Sequence, residues 1–79
     1  MENLHWIKVG KCRIAELAYD SDAEALWIKY DTGELEKRIC FIEPRWLDLK
    51  RSIGMSLPYF KEKLDYCFRH SISILFEKK

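Results

Sequence analysis

The chain has 79 residues, of which 48% are hydrophobic and 14% aromatic, with three glycines and two prolines. That length leaves one domain, residues 1–79, and one core; so short a chain hides only about 60% of its unfolded surface, too little to enclose a large cofactor, and the composition excludes a disordered segment. The net charge of +1 hides a sorted arrangement, in which residues 16–36 hold seven acids against Lys29 alone and residues 37–79 hold ten bases against five acids; it favours binding through complementary fields over bulk attraction to a polyanion.

Met1-Glu2-Asn3-Leu4-His5-Trp6 lacks the basic opening and apolar centre of a secretion signal. No apolar run approaches the roughly 20 residues that span a bilayer. Cys12, Cys40 and Cys67 are odd in number and fit no C-x-x-C pattern. They are expected to be buried free thiols, and the chain is expected to be cytoplasmic, without a membrane.

Residues 12–19 read as a first strand. Asp20-Ser21-Asp22 then make a turn, because short side chains that bond their own backbone favour one. From Ala25 to Tyr30 the alternation is clean, with Leu26, Ile28 and Tyr30 on one face and Trp27 and Lys29 on the other. Asp31-Thr32-Gly33-Glu34 connects this run to a return strand from Leu35 to Ile42, with Gly33 free to take positive φ. At Glu43-Pro44 the period changes to that of a helix, since proline suits a first turn. Trp46, Leu49, Lys50 and Ile53 recur at helical spacing, Leu47 widens the apolar face, and Gly54 is a natural stop. Trp46 is expected in the core. Ser56-Leu57-Pro58 reads as the cap and first turn of a second helix, whose stripe of Phe60, Leu64, Cys67 and Phe68 runs to Arg69. Ile72, Ile74 and Phe76 alternate with Ser71, Ser73 and Leu75 in a short closing strand, with helical continuation as the alternative, and Lys78-Lys79 is expected to fray. The sum is an α+β domain: a small, mostly antiparallel sheet with two helices packed against one face.

Ile14-Ala15-x-x-x-Tyr19-Asp20, Ala25-Leu26-x-Ile28-x-Tyr30-x-x-Gly33, Ile42-x-Pro44, and Phe60 after Gly54 and Pro58 together resemble the KTSC domain family over residues 14–68. The departure is Ser52-Ile53-Gly54, which stands several residues earlier than the Ser-x-Gly stretch of that family. The resemblance implies a small α+β module of the kind found alone in bacterial and phage proteins and appended to some lysyl-tRNA synthetases. That company implies a role near nucleic acid and no settled chemistry.

The chain offers no catalytic constellation of its own. Cys67 and His70 stand three apart, a spacing common by chance, and a core cysteine followed by a helix-terminal histidine explains both. Asp20-Ser21-Asp22-Ala23-Glu24 lacks the glycine and the final glutamate of a calcium loop, so no metal is expected. Glycines at 10, 33 and 54 cannot form a phosphate cradle. Glu34 and Glu36 would need burial or close approach to split their pKa values for hydrolysis, and surface hairpin positions are expected instead.

A non-enzymatic binding or accessory protein without cofactor is therefore the first expectation, acting on another protein through a charged, aromatic-anchored surface. Trp27, Glu34, Glu36, Asp22 and Trp6 are its candidate residues. The alternative is an RNA or single-stranded DNA binding module in which Arg45, Lys50, Arg51, Lys61 and Arg69 converge on phosphates. Against it, Glu43, Asp48, Glu62 and Asp65 are interspersed with these bases and form ordinary helix-surface pairs. A homodimer would bury surplus aromatic surface. Both recognition readings expect the local charge to fold into two opposed electrical faces.

Overall fold

A computed structural model describes residues 4–76, with side chains through Ile74. Five strands, β1 (Ile7–Lys11), β2 (Ile14–Asp20), β3 (Ala25–Tyr30), β4 (Leu35–Ile39) and β5 (Ile72–Phe76), form one antiparallel sheet in chain order. Helices α1 (Glu43–Ser52) and α2 (Leu57–Arg69) form the connection from β4 to β5. This is the expected α+β architecture with one added strand, β1. Lys78-Lys79 and the side chains of Leu75 and Phe76 lie outside the described residues. Among the described residues no helix is long and apolar enough to cross a membrane.

β1 alternates half-buried Ile7, Val9 and Lys11 with exposed Lys8 and Gly10, and its ladder to β2 is interrupted. Lys8 pairs Glu16 and Lys11 pairs Ile14, so Val9 and Gly10 oppose Ala15 alone, a β-bulge with Gly10 at φ +67°. The two-residue turn that follows puts both Cys12 (φ 54°) and Arg13 (φ 64°) in the left-handed region. The acidic turn forms as expected: Asp20 Oδ1 accepts from the amides of Asp22 (3.1 Å) and Ala23 (3.2 Å). Gly33 takes φ 93° in the β3–β4 connection. β4 ends at Ile39, three residues early, because Cys40 turns to φ 61° and leaves the ladder.

Both helices cover the face that carries Ile14, Leu17, Leu26 and Ile28, against which Trp46, Leu49, Phe60, Leu64 and Cys67 pack. Trp46 stacks on Tyr19 at 5.7 Å, and the Tyr19 hydroxyl donates to the Phe41 carbonyl at 2.6 Å, tying α1 to the sheet. Lys11 reaches from β1 to donate to the carbonyls of Ile53 (2.7 Å) and Met55 (3.2 Å), which satisfies the C-terminal end of α1. Leu47 does not widen the apolar face; it is exposed. Ser56 occupies the N-cap of α2 without a side-chain bond, and Pro58 stands in the first turn.

Candidate functional site

Among the described residues the acids of positions 16–36 do not gather on one face. Successive connections of an antiparallel sheet lie at opposite ends, so the acids of residues 20–24 and those of 31–34 are separated by the length of β3. Asp22 and Glu34 are exposed, one at each end. Glu16 pairs with Lys29 at 3.3 Å on the sheet between them.

Glu36 is not a surface residue. It is 5% exposed and faces the helices, opposite Ile28 in the β3–β4 register. Its carboxylate accepts from the Tyr30 hydroxyl (2.5 Å), from Arg38 Nη1 (2.6 Å) and from the Ser73 hydroxyl. Arg38, 9% exposed, also donates from Nε to Ser71 Oγ (2.7 Å) and from Nη2 to the Phe68 carbonyl (2.9 Å), with its guanidinium 4.2 Å from the Phe68 ring centroid. This network fastens β4 to the end of α2 and the start of β5. Charged side chains tolerate such burial only when paired and hydrogen-bonded. Burial, reinforced by the bond to Glu36, pushes the Tyr30 phenol well above its ordinary pKa.

The tryptophans are likewise less available than expected. Trp27 lies on the face away from the helices, as its alternation implies, but is only 7% exposed. Its cross-strand neighbours on that face are Ala18 and Lys37; the alanine leaves room for the indole, and Lys37 Nζ stands 5.4 Å from the ring centroid. Trp46 is buried as expected. Trp6 is half-buried, with Lys29 Nζ 4.5 Å from its ring.

The surface that does assemble aromatic and charged groups is a cleft of about 550 Å³ between α1 and α2, on their side away from the sheet. Ile42, Pro44, Arg45 and Asp48 form one wall, and Tyr59, Glu62, Lys63, Tyr66 and Arg69 the other, with buried Cys67 between them. Exposed Ile42 is the N-cap of α1 and Pro44 stands in its first turn, which places both at the mouth. On α2, Tyr59, Glu62, Lys63 and Tyr66 follow i, i+3, i+4, i+7 spacing, one residue out of phase with the core stripe of Phe60, Leu64 and Cys67. Each tyrosine carries a cation: Lys63 Nζ lies 5.4 Å from the Tyr59 ring and Arg45 5.5 Å from that of Tyr66. Arg45 Nη1 also donates to the His70 carbonyl (3.2 Å), which orients it along the cleft.

Of the five basic residues expected to converge, Arg45 and Arg69 line this cleft, whereas Lys50, Arg51 and Lys61 are exposed elsewhere on the helices. Arg51 pairs loosely with Asp48 at 3.4 Å. Tyr59 and Tyr66 are not among the residues expected as anchors, although tyrosine on the polar side of an amphipathic helix is a signal for one. Cys67 and His70 form no nucleophile pair: burial pushes the Cys67 thiol up to about 11, and the exposed His70 ring sits against Tyr66 at 4.4 Å. The cysteines are free but unequally buried, Cys67 fully, Cys12 partly and Cys40 not at all. Among the described residues no group of three or more His, Cys, Asp or Glu side chains gathers to hold a metal ion.

Comparisons of the chain with family models, with curated proteins and with solved structures found no match.

Proposed function

We propose that this chain is a non-enzymatic binding module that holds a segment of another protein in the α1–α2 cleft. The observation that carries the reading is the pair of exposed tyrosines on one stripe of α2, each held beneath a cation, along a cleft floored by a buried thiol. Tyrosine and arginine supply large rigid contact area together with hydrogen bonding, and they dominate the energetics of protein interfaces. The cleft sets Asp48 and Glu62 among Arg45, Lys63 and Arg69, a near-balanced charge. A phosphate backbone would meet two carboxylates there, whereas a mixed-charge peptide finds partners of both signs.

Selection of a random peptide library on the immobilised chain tests this reading. Selected peptides are expected to lose at least about tenfold in affinity to Tyr66→Ala and to Tyr59→Ala, roughly 1.4 kcal/mol each, with unchanged circular dichroism. Peptides that ignore both substitutions would refute it. Binding of single-stranded RNA that weakens steeply with salt and is lost in Arg45→Glu/Arg69→Glu would replace it with the nucleic-acid reading.

A further inference from the structure

The two edges of the sheet are treated differently. β1 forms one edge, and it carries Lys8, Lys11, a positive-φ glycine and a β-bulge. These are the devices by which a strand is kept from pairing with another chain. β5 forms the opposite edge, with β4 as its one neighbour in the sheet among the described residues. Its sequence, Ile-Ser-Ile-Leu-Phe, contains no charge, proline or glycine, and its five pairings with β4 run without a register shift. Ile72 and Ile74 are 56% and 41% exposed. Their partners Ile39 and Lys37, and Trp27 beyond, put both isoleucines on the face away from the helices. The open edge of β5 is therefore regular in register and uncharged, with apolar side chains beside it.

We infer that β5 pairs with β5 of a second copy of this chain, antiparallel about a two-fold axis through Ile74. Three observations select that occupant. A two-fold contact sets residues near the axis beside their own copies, so any charge there would meet its like; residues 72–76 hold none. Ile74 then lies against Ile74 of the other copy, and Ile72 opposite position 76, with both exposed isoleucines of β5 on the same face of a continuous ten-stranded sheet. Head-to-tail pairing of β5 with β1 is blocked by the lysines and the bulge, so assembly closes at two copies. A foreign strand would need pockets for its alternate side chains to be recognised specifically. The described cleft is lined by the two helices and Ile42, and by none of the described residues of β5. The contact is small, since it joins five residues a side, and it is expected to be reversible and concentration-dependent.

Sedimentation velocity of the full chain from about 1 µM to about 1 mM is expected to show monomer giving way to dimer. Ile74→Lys should raise the dissociation constant at least about tenfold. As a measurement independent of how well that variant folds, Ile74→Cys in a Cys40→Ser background should form a disulfide-linked dimer on mild oxidation. Antiparallel partners stand about 4.5–5.5 Å apart at Cα, inside the range a disulfide bridges. Thr32→Cys in the same background, on the β3–β4 connection, should not crosslink. Three outcomes overturn the inference: monomer throughout the range, a dimer that survives Ile74→Lys while Ile74→Cys stays uncrosslinked, and a monomer that instead takes up added extended peptides along β5.

Discussion

Arg38 has an acceptor for each of its three nitrogens within the protein: Ser71 for Nε, Glu36 for Nη1, and the carbonyls of Phe68 and Ser71 for Nη2. With Glu36 it forms an ion pair whose two side chains are almost fully withdrawn from water. Removing one member leaves the other charged, buried and unmatched, a loss of about 3–5 kcal/mol where such pairs have been broken. A domain of this length holds only about 4–12 kcal/mol in total. Arg38→Met is therefore expected to bring the chain close to unfolding, and Glu36→Gln/Arg38→Met to recover part of the loss, because an amide is left where a carboxylate was. Urea titrations of both variants measure this, and equal destabilisation by the two would show that the charge itself is not what matters. The pair was hidden in the sequence for a physical reason. Polar residues on an alternating strand ordinarily face water, so Glu36 and Arg38 read as surface. The carbonyl of Phe68 and the hydroxyls of Ser71 and Ser73, thirty or more residues away in the chain, help make the inward face of β4 the polar one.

Elements were legible where their own residues carry the period and illegible where another element completes them. Leu26, Ile28 and Tyr30 declare β3; Pro44 and the Trp46–Leu49–Ile53 spacing declare α1; Phe60, Leu64 and Cys67 declare α2. β1 stayed hidden because it is only five residues long with Gly10 inside it, and its turn uses Cys12-Arg13 where asparagine and glycine are the usual signal. The same chemistry gives an expected outcome. A left-handed conformation costs a residue with a Cβ about 1–2 kcal/mol, and glycine avoids it at about 0.4–1 kcal/mol of added unfolded-chain entropy. Arg13 is exposed, so Arg13→Gly is expected to stabilise the hairpin by roughly 0.5–1 kcal/mol, a few degrees in melting temperature. Arg13→Val, with a branched Cβ at the same φ, should melt lower than the parent. Thermal unfolding followed by circular dichroism reads both, and the reverse order would mean that the turn is not left-handed in solution.

At the scale of the whole molecule, the segregated charge of the sequence becomes a mixed surface, because an antiparallel sheet sends successive connections to opposite ends and returns Glu36 to the interior. What the fold concentrates is a set of neutral groups whose ionisation it opposes. Burial raises the pKa of Tyr19, of Tyr30 and of Cys67, the last to about 11, with neighbouring carboxylates adding to the effect at both tyrosines. In each case the folded value stands above the unfolded one, so the folded chain holds its proton longer. The stability linked to these groups is fully present below the unfolded values, about 8.5 for a thiol and 10 for a phenol, and is lost as pH climbs through the folded values. Melting temperature is therefore expected to be level from neutral pH to about 8.5 and then to fall, with Cys67 supplying a slope of about 1.4 kcal/mol per pH unit between roughly pH 9 and 11. The tyrosines should steepen the decline above pH 10. Cys67→Val keeps the buried volume close and removes the thiol, so its melting curve should stay level about one pH unit further into the alkaline range. A parent protein whose melting temperature does not change between pH 8 and pH 11 would mean that the thiol on the cleft floor and the phenol above Glu36 are open to water, and the packing of α2 on the sheet would have to be redrawn.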